Sequence, residues 1–199
     1  MKLIIFIVVL FIIIIFLFQF YLLMSTNKTE EQKYTLIQAY KEFEIRFYPS
    51  STIATINLSA KTYRELSGPG FRKLAGYIFG ANETGSKIPM TKPVQMDIND
   101  SVSSMSFVMP SAYTEEKLPK PTDPGVIIKR TADEFVATIG FGGFASENDL
   151  KSYSEKLQEL LKEEGITTYG HYRFLGYNPP YQFIGRRNEI IVSVDWKGK

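Results

Sequence analysis

Few side chains in this sequence can do catalytic or metal-binding chemistry. Its 199 residues include one histidine, His171, and no cysteine. The lack of cysteine excludes disulfides, thiol nucleophiles, zinc fingers and iron–sulfur clusters. A single histidine excludes sites built on two imidazoles, and it leaves a Ser-His-Asp triad one possible base. Much of the familiar hydrolytic chemistry is thereby excluded.

A run of charged and polar residues at 186–189, Arg-Arg-Asn-Glu, offers a different chemistry. A guanidinium pairs with a carboxylate in a planar fork, so Arg186 could clamp the acidic groups of a ligand. The alternative is a structural ion-pair network, in which Arg187 and Glu189 pair with charged side chains at 44–46. Both interpretations place the run where it meets another part of the fold.

The first predicted element of the chain is an apolar run at 3–24, whose one clearly polar member is Gln19. As a helix it would reach about 33 Å, slightly more than the roughly 30 Å of a hydrocarbon layer. Residues 1–24 are therefore predicted to form an uncleaved transmembrane anchor, with a signal sequence as the alternative. We expect the folded domain outside the cytosol, and a secreted domain if the leader is cleaved.

Beyond the anchor, residues 25–33 are polar and aperiodic, which predicts a tether. The domain at 34–199 then carries 20 basic and 19 acidic residues. So small a net charge provides no basic field for a nucleic-acid backbone, and no nucleic-acid partner is expected. We expect the domain to be monomeric.

Within the domain, the pattern of strands and helices occurs twice. In the first half, strands are predicted at 34–38, 43–48, 52–58, 91–98 and 105–109, with a helix at 69–79. Ser67 is its expected N-cap and Pro69 lies in its first turn. The second half has strands at 126–130, 135–141, 168–177 and 189–194, and a helix that Ser146 and Asp149 open as a capping box. This order predicts an α+β fold of two pseudo-symmetric modules that share one antiparallel sheet.

Several motifs occur in a distinctive order and spacing across residues 34–196. They are Tyr40-x-x-Phe43-Glu44-Ile45-Arg46-x-Tyr48, Phe71-Arg72-Lys73-Leu74-Ala75-Gly76-Tyr77-Ile78-Phe79-Gly80-x-Asn82, Lys87-Ile88-Pro89-Met90-Thr91-x-Pro93-Val94, Phe107-Val108-Met109-Pro110-Ser111-x-Tyr113, and Tyr177-Asn178-Pro179-Pro180 followed by Arg186-Arg187-Asn188-Glu189. Together they resemble the SOUL haem-binding family. The resemblance implies a distorted antiparallel β-barrel of about eight strands flanked by two helices.

The same resemblance implies a non-covalently bound haem or related porphyrin. A tetrapyrrole is a flat apolar disc with two carboxylates, so its site needs an apolar wall, an aromatic surface and cations at the rim. The first predicted helix of the domain carries such residues side by side. The expected site residues are Phe47, Phe71, Arg72, Lys73, Leu74, Tyr77, Ile78 and Arg186. An amphipathic helix with a basic edge that simply packs on a sheet would show the same pattern.

One position departs from the members of that family that ligate haem iron. They carry a histidine where this chain has Phe47. His171 lies in a predicted strand and is expected to be structural or exposed, so no metal ligand is assigned. We therefore expect a membrane-tethered, non-enzymatic haem-binding protein for transport, buffering or sensing. The alternatives are a tetrapyrrole-modifying or haem-degrading enzyme, and a groove for another apolar molecule or a protein partner.

Overall fold

The computed structural model describes residues 1–198, so Lys199, the last residue of the predicted domain, lies outside the described residues. This part of the chain contains three α-helices, α1 (Lys2–Lys28), α2 (Tyr63–Ile78) and α3 (Glu147–Glu163). Its strands are β1 (Glu30–Glu31), β2 (Thr35–Ala39), β3 (Glu44–Tyr48), β4 (Thr52–Leu58), β5 (Thr91–Lys92), β6 (Val94–Asp97), β7 (Ser103–Val108), β8 (Val126–Arg130), β9 (Glu134–Phe141), β10 (Thr168–Gly176) and β11 (Asn188–Val194). The fold is thus α+β, as predicted.

Nine of the strands form one antiparallel sheet in the order β2-β3-β9-β11-β10-β6-β7-β4-β8, and β1 pairs in parallel with β5. If the edge strand β2 is left aside, the order of the other eight strands is symmetric. Exchanging β3 with β8, β4 with β9, β6 with β10 and β7 with β11 gives the same order read from the other end. The strand order therefore agrees with two modules that share one sheet.

The predicted barrel is not confirmed. Between residues 1 and 198, no strand pairing joins β2 at one edge of the sheet to β8 at the other. The helix α2 packs on β4, β7 and β8, while α3 packs on β9, β10 and β11. Both helices contribute to one hydrophobic core, so they cover two halves of the same face of an open sheet.

The two domain helices begin at polar caps. The α2 helix starts at Tyr63, earlier than predicted, because Thr62 rather than Ser67 accepts the hydrogen bond from the Glu65 backbone N–H. Pro69 consequently lies inside the helix rather than in its first turn. The capping box that opens α3 is confirmed, since the side chains of Ser146 and Asp149 each accept the other's backbone N–H.

The segment after the apolar run is more ordered than the predicted tether at 25–33. The α1 helix continues to Lys28, and Glu30–Glu31 then pairs with Thr91–Lys92 of the domain. This pairing satisfies backbone groups that a free linker would leave to water. The α1 helix is long and apolar enough to cross a membrane, judged by length and composition.

Candidate functional site

The α2 helix carries six of the eight predicted site residues, and three of them belong to the core. Leu74, Tyr77 and Ile78 are each at most 1% exposed. The Tyr77 hydroxyl donates a hydrogen bond to the Pro119 carbonyl oxygen at 2.9 Å. These three side chains offer no surface to a ligand. Core-facing and ligand-facing positions of an amphipathic helix carry the same residue types, which is why the sequence pattern did not separate them.

The other three predicted residues on α2 form an exposed edge. The Phe71 ring is partly exposed and lies 5.4 Å from the ring of Phe107. Arg72 points to solvent. The Lys73 ammonium lies 3.0 Å from the Asp123 carboxylate. The edge is therefore an open, mixed apolar and basic surface rather than a pocket.

Phe47 and Arg186 lie elsewhere, so the eight predicted residues do not form one pocket. Phe47 is half-buried on β3, with its ring 5.1 Å from that of Phe135. The Arg186 guanidinium donates hydrogen bonds to the carbonyl oxygens of Gly143, Pro179 and Gln182. These bonds stabilise a loop, which differs from the predicted role of clamping a ligand.

A cavity of about 420 Å³ opens between α3 and the sheet, at a place that the sequence did not indicate. Its apolar walls are Met96, Ile98, Leu150, Phe174 and Ile190. Such a volume falls within the range of small-molecule sites in proteins. The spacing on α3 was the available signal, because residues 147, 150, 151 and 154 recur at intervals of three and four and face the cavity together.

Two small residues, Ser154 and Gly170, face the cavity where β10 is irregular. The pairing of β10 with β11 shifts register between Tyr169 and Arg173. Within that interval Gly170 has a φ of +72°, and a Cβ built there would meet no atom within 4 Å. Opposite, the Ser154 hydroxyl turns back to donate to the Leu150 carbonyl oxygen at 2.7 Å. Neither residue fills the space between helix and sheet.

Polar groups occupy the walls and rim of the cavity. Tyr172 lines it, and its buried hydroxyl has no hydrogen-bond partner among the described residues. Burial raises the pKa of this hydroxyl, which is therefore a neutral donor or acceptor. Lys151 supplies a cation, and the Glu147 carboxylate accepts the Arg64 backbone N–H. The cavity thus pairs an apolar interior with a cation, a carboxylate and a hydroxyl that has no hydrogen-bond partner in the described part of the chain.

His171 also lines this cavity, and its side chain is 62% exposed. Its Nδ1 atom lies 3.4 Å from Oδ1 of Asp97. The His171 side chain is thus largely exposed. Between residues 1 and 198, no group of three His, Cys, Asp or Glu side chains is arranged to hold a metal ion.

The opposite face of the sheet carries a buried ion-pair network. Arg46 donates two hydrogen bonds to Glu189, at 2.9 and 3.1 Å. Arg187 also donates to the Glu189 carboxylate, at 2.8 Å, and Tyr177 donates to it at 2.7 Å. The network includes Glu44, as one of the two interpretations of the 186–189 run predicted.

This network lowers the pKa of one carboxyl group. Burial alone would raise the pKa of Glu189, but hydrogen bonds and charge from Arg46, with the charge of Arg187, outweigh burial and hold the pKa below its usual value. Burial and the Glu189 charge together raise the pKa of Tyr177. Glu189 is therefore ionised and Tyr177 neutral at pH 7.

Stability is expected to fall in acid because the pKa of Glu189 is lower in the folded chain than in the unfolded chain. The stabilisation is fully present above the unfolded value, about 4.3, and is lost as the pH falls through the folded value. We expect the midpoint temperature of thermal unfolding, measured in detergent, to stay constant from pH 7 to about 5 and to decrease at lower pH. A Glu189→Leu variant should show a flatter decline below pH 4.3, and an equally steep one would contradict this assignment.

Comparison with known proteins finds relatives whose sequences match most of the chain. A family model described as "SOUL heme-binding protein" matches residues 29–193. Heme-binding protein 1 of Xenopus laevis is 31% identical over 155 residues, which cover 74% of this chain and 81% of that protein. Heme-binding protein 2 of Homo sapiens is 29% identical over 156 residues, which cover 74% of this chain and 76% of that protein.

Solved structures share the fold at low sequence identity. An uncharacterised conserved protein from Listeria innocua superimposes with a TM-score of 0.59 and 12% identity, covering 78% of this chain and 93% of that one. The C-terminal domain of EcmrR gives a TM-score of 0.56 and 10% identity, covering 77% of this chain and 97% of that one. These likenesses concern the fold alone.

Proposed function

Because this chain belongs to the SOUL haem-binding protein family, we propose that its folded domain binds haem or a related porphyrin without covalent attachment. The family model matches residues 29–193, which include the two domain helices and nearly all of the sheet, and the relatives named for haem binding match 74% of the chain. The cavity between α3 and the sheet is the feature of the structure that supports this function most directly.

The residues around that cavity fit a flat apolar guest with acidic substituents. The apolar walls, with Phe174 and Tyr172, would contact the macrocycle, and Lys151 would pair with a propionate at the rim. The Tyr172 hydroxyl would gain the hydrogen-bond partner that it lacks. When bound, haem would supply the redox and ligand-binding chemistry of its iron.

The exposed edge of α2 is a second candidate surface for the same ligand. Phe71 and Arg72 there offer an aromatic ring and a cation, as the resemblance implied. The core positions of Leu74, Tyr77 and Ile78 weaken this candidate, because a ligand would have to displace them from the core.

We further propose that the iron receives no imidazole ligand. Position 47 is phenylalanine, and the Nδ1 atom of His171 faces the Asp97 carboxylate at the rim of the cavity. The His171 side chain would then contact a propionate group rather than bind the iron. A protein of this kind suits transport, buffering or sensing of the ligand rather than its chemical conversion.

The location that we propose is a membrane surface. The α1 helix would span the bilayer once as an uncleaved anchor and keep the domain outside the cytosol. The apolar side chains of α1 are almost all exposed in the chain by itself, so lipid would be their natural contact.

Haem titration of the full chain in lipid nanodiscs tests the function. We expect a shifted Soret band that saturates at one haem per chain, since one cavity accounts for the binding. Empty nanodiscs, into which haem also partitions, are the control. A spectrum identical to that of empty discs, for haem and for iron-free porphyrin, would refute the proposal. Loss of the bound haem on addition of reductant and oxygen would instead support the enzymatic alternative.

A further inference from the structure

The loop at 177–187 is attached to α1 through the one clearly polar residue of the apolar run. Gln19 is 4% exposed. Its Nε2 atom donates to the Tyr181 carbonyl oxygen at 3.0 Å, and its Oε1 atom accepts the Phe183 backbone N–H at 2.8 Å. Both polar ends of the amide are thus satisfied by the loop backbone. The contact fixes the loop at one height along α1.

Further contacts near the end of α1 hold the same arrangement. Thr26 donates to the Gln182 side chain at 2.8 Å, and Lys92 donates to the Thr26 carbonyl oxygen at 3.0 Å. Gly185 approaches so closely that a Cβ there would lie 3.2 Å from Leu23. The helix and the domain are therefore packed together rather than joined by a free linker.

This loop and Phe144, whose ring lies 6.1 Å from that of Phe183, present an apolar surface beside α1, which we call the aromatic patch. Its members are about half exposed, namely Phe144 at 55%, Tyr181 at 54%, Phe183 at 60% and Ile184 at 49%. Arg186 lies 4.3 Å from the Phe144 ring centroid and donates to two loop carbonyls, so the patch is held in place. A fixed group of exposed large apolar side chains indicates an interaction surface.

The position of Gln19 sets the depth of this patch relative to the apolar run. Met24, the end of the run, is five positions beyond Gln19, which corresponds to about 7–8 Å along the helix. Apolar and aromatic groups at membrane interfaces insert to about 5–10 Å. The Tyr181 ring lies 6.4 Å from that of Phe18, so the patch adjoins the apolar surface of α1 at about this depth, where Tyr side chains are enriched in membrane proteins.

We propose that the aromatic patch inserts into the lipid leaflet nearest the domain, because Gln19 fixes it beside the apolar run of α1. This inference rests on the proposed role of α1 as a membrane anchor. The domain would thus be docked on the bilayer in one orientation, with Phe144, Tyr181, Phe183 and Ile184 in the headgroup and upper acyl region.

Site-directed spin labelling of the full chain in nanodiscs tests this insertion. The chain has no cysteine, so Ile184→Cys and Phe144→Cys each give one labelled position. We expect both labels to be accessible to oxygen and shielded from water-soluble nickel chelate, with a ratio severalfold above that of Ile127→Cys. Ile127 is a matched control, since it is 46% exposed on β8.

Each other outcome overturns the insertion. Nickel accessibility equal to that at 127 would place the patch in water, and shielding from both reagents would indicate a second copy or another protein. A label at Ile12→Cys separates the two proposals. If it is in lipid while the label at 184 is not, the anchor stands and the docking fails. If it is in water, both fail, while haem titration of the same samples reports ligand binding independently.

Discussion

Ser154→Trp is expected to weaken haem binding by tenfold or more, which corresponds to about 1.4 kcal/mol or more of binding free energy. Ser154 lies on the cavity side of α3, and its small side chain leaves space between helix and sheet. An indole there would occupy the volume proposed for the macrocycle. The measurement is the same Soret titration of the full chain in nanodiscs.

Ser152→Trp is the matched control for this variant. Ser152 lies two residues away on the same helix but points to solvent, so its replacement should leave the affinity unchanged. Equal affinities for both variants would show that the ligand binds outside the cavity.

A Phe47→His variant tests a different position for the ligand. A new low-spin haem spectrum from that variant would place the iron beside β3.

Glu189→Leu is expected to lower the free energy of unfolding by about 3–5 kcal/mol. The substitution removes the carboxylate that Arg46, Arg187 and Tyr177 share, and Arg46 is itself only 5% exposed. A buried guanidinium then loses its main partner, which costs more than the intact ion pair contributes. Chemical unfolding in detergent, followed by the fluorescence of the single tryptophan, Trp196, measures the loss.

The double variant Arg46→Met with Glu189→Leu should regain much of this loss, because an apolar pair leaves no buried guanidinium without a partner at these two positions. Asp123→Asn is the exposed control, since its partner Lys73 lies at the surface and such pairs contribute little. A Glu189→Leu variant as stable as the Asp123→Asn variant would show that the network is not a stabilising centre.

Some features of this structure could be predicted from the sequence and others could not. The capping residues of α3 were predictable, because a helix N-terminus is satisfied by side chains only a few positions away. The Arg46–Glu189 pair joins residues 143 positions apart, and the sequence supported two interpretations of it. The cavity beside α3 was not predicted, because its walls come from α3 and from three strands that lie far apart in the sequence, β6, β10 and β11.

The sequence by itself determined the α+β class, the doubled order of elements, the apolar helix at its beginning and the family. These properties depend on the local periodicity of apolar residues and on motifs that occur in a distinctive order and spacing. Only the tertiary structure decided that the sheet stays open, that half of the predicted α2 residues are core, and that Gln19 meets the loop at 177–187. Each of these depends on which distant side chain occupies the facing space, and that choice is made by packing rather than by local pattern.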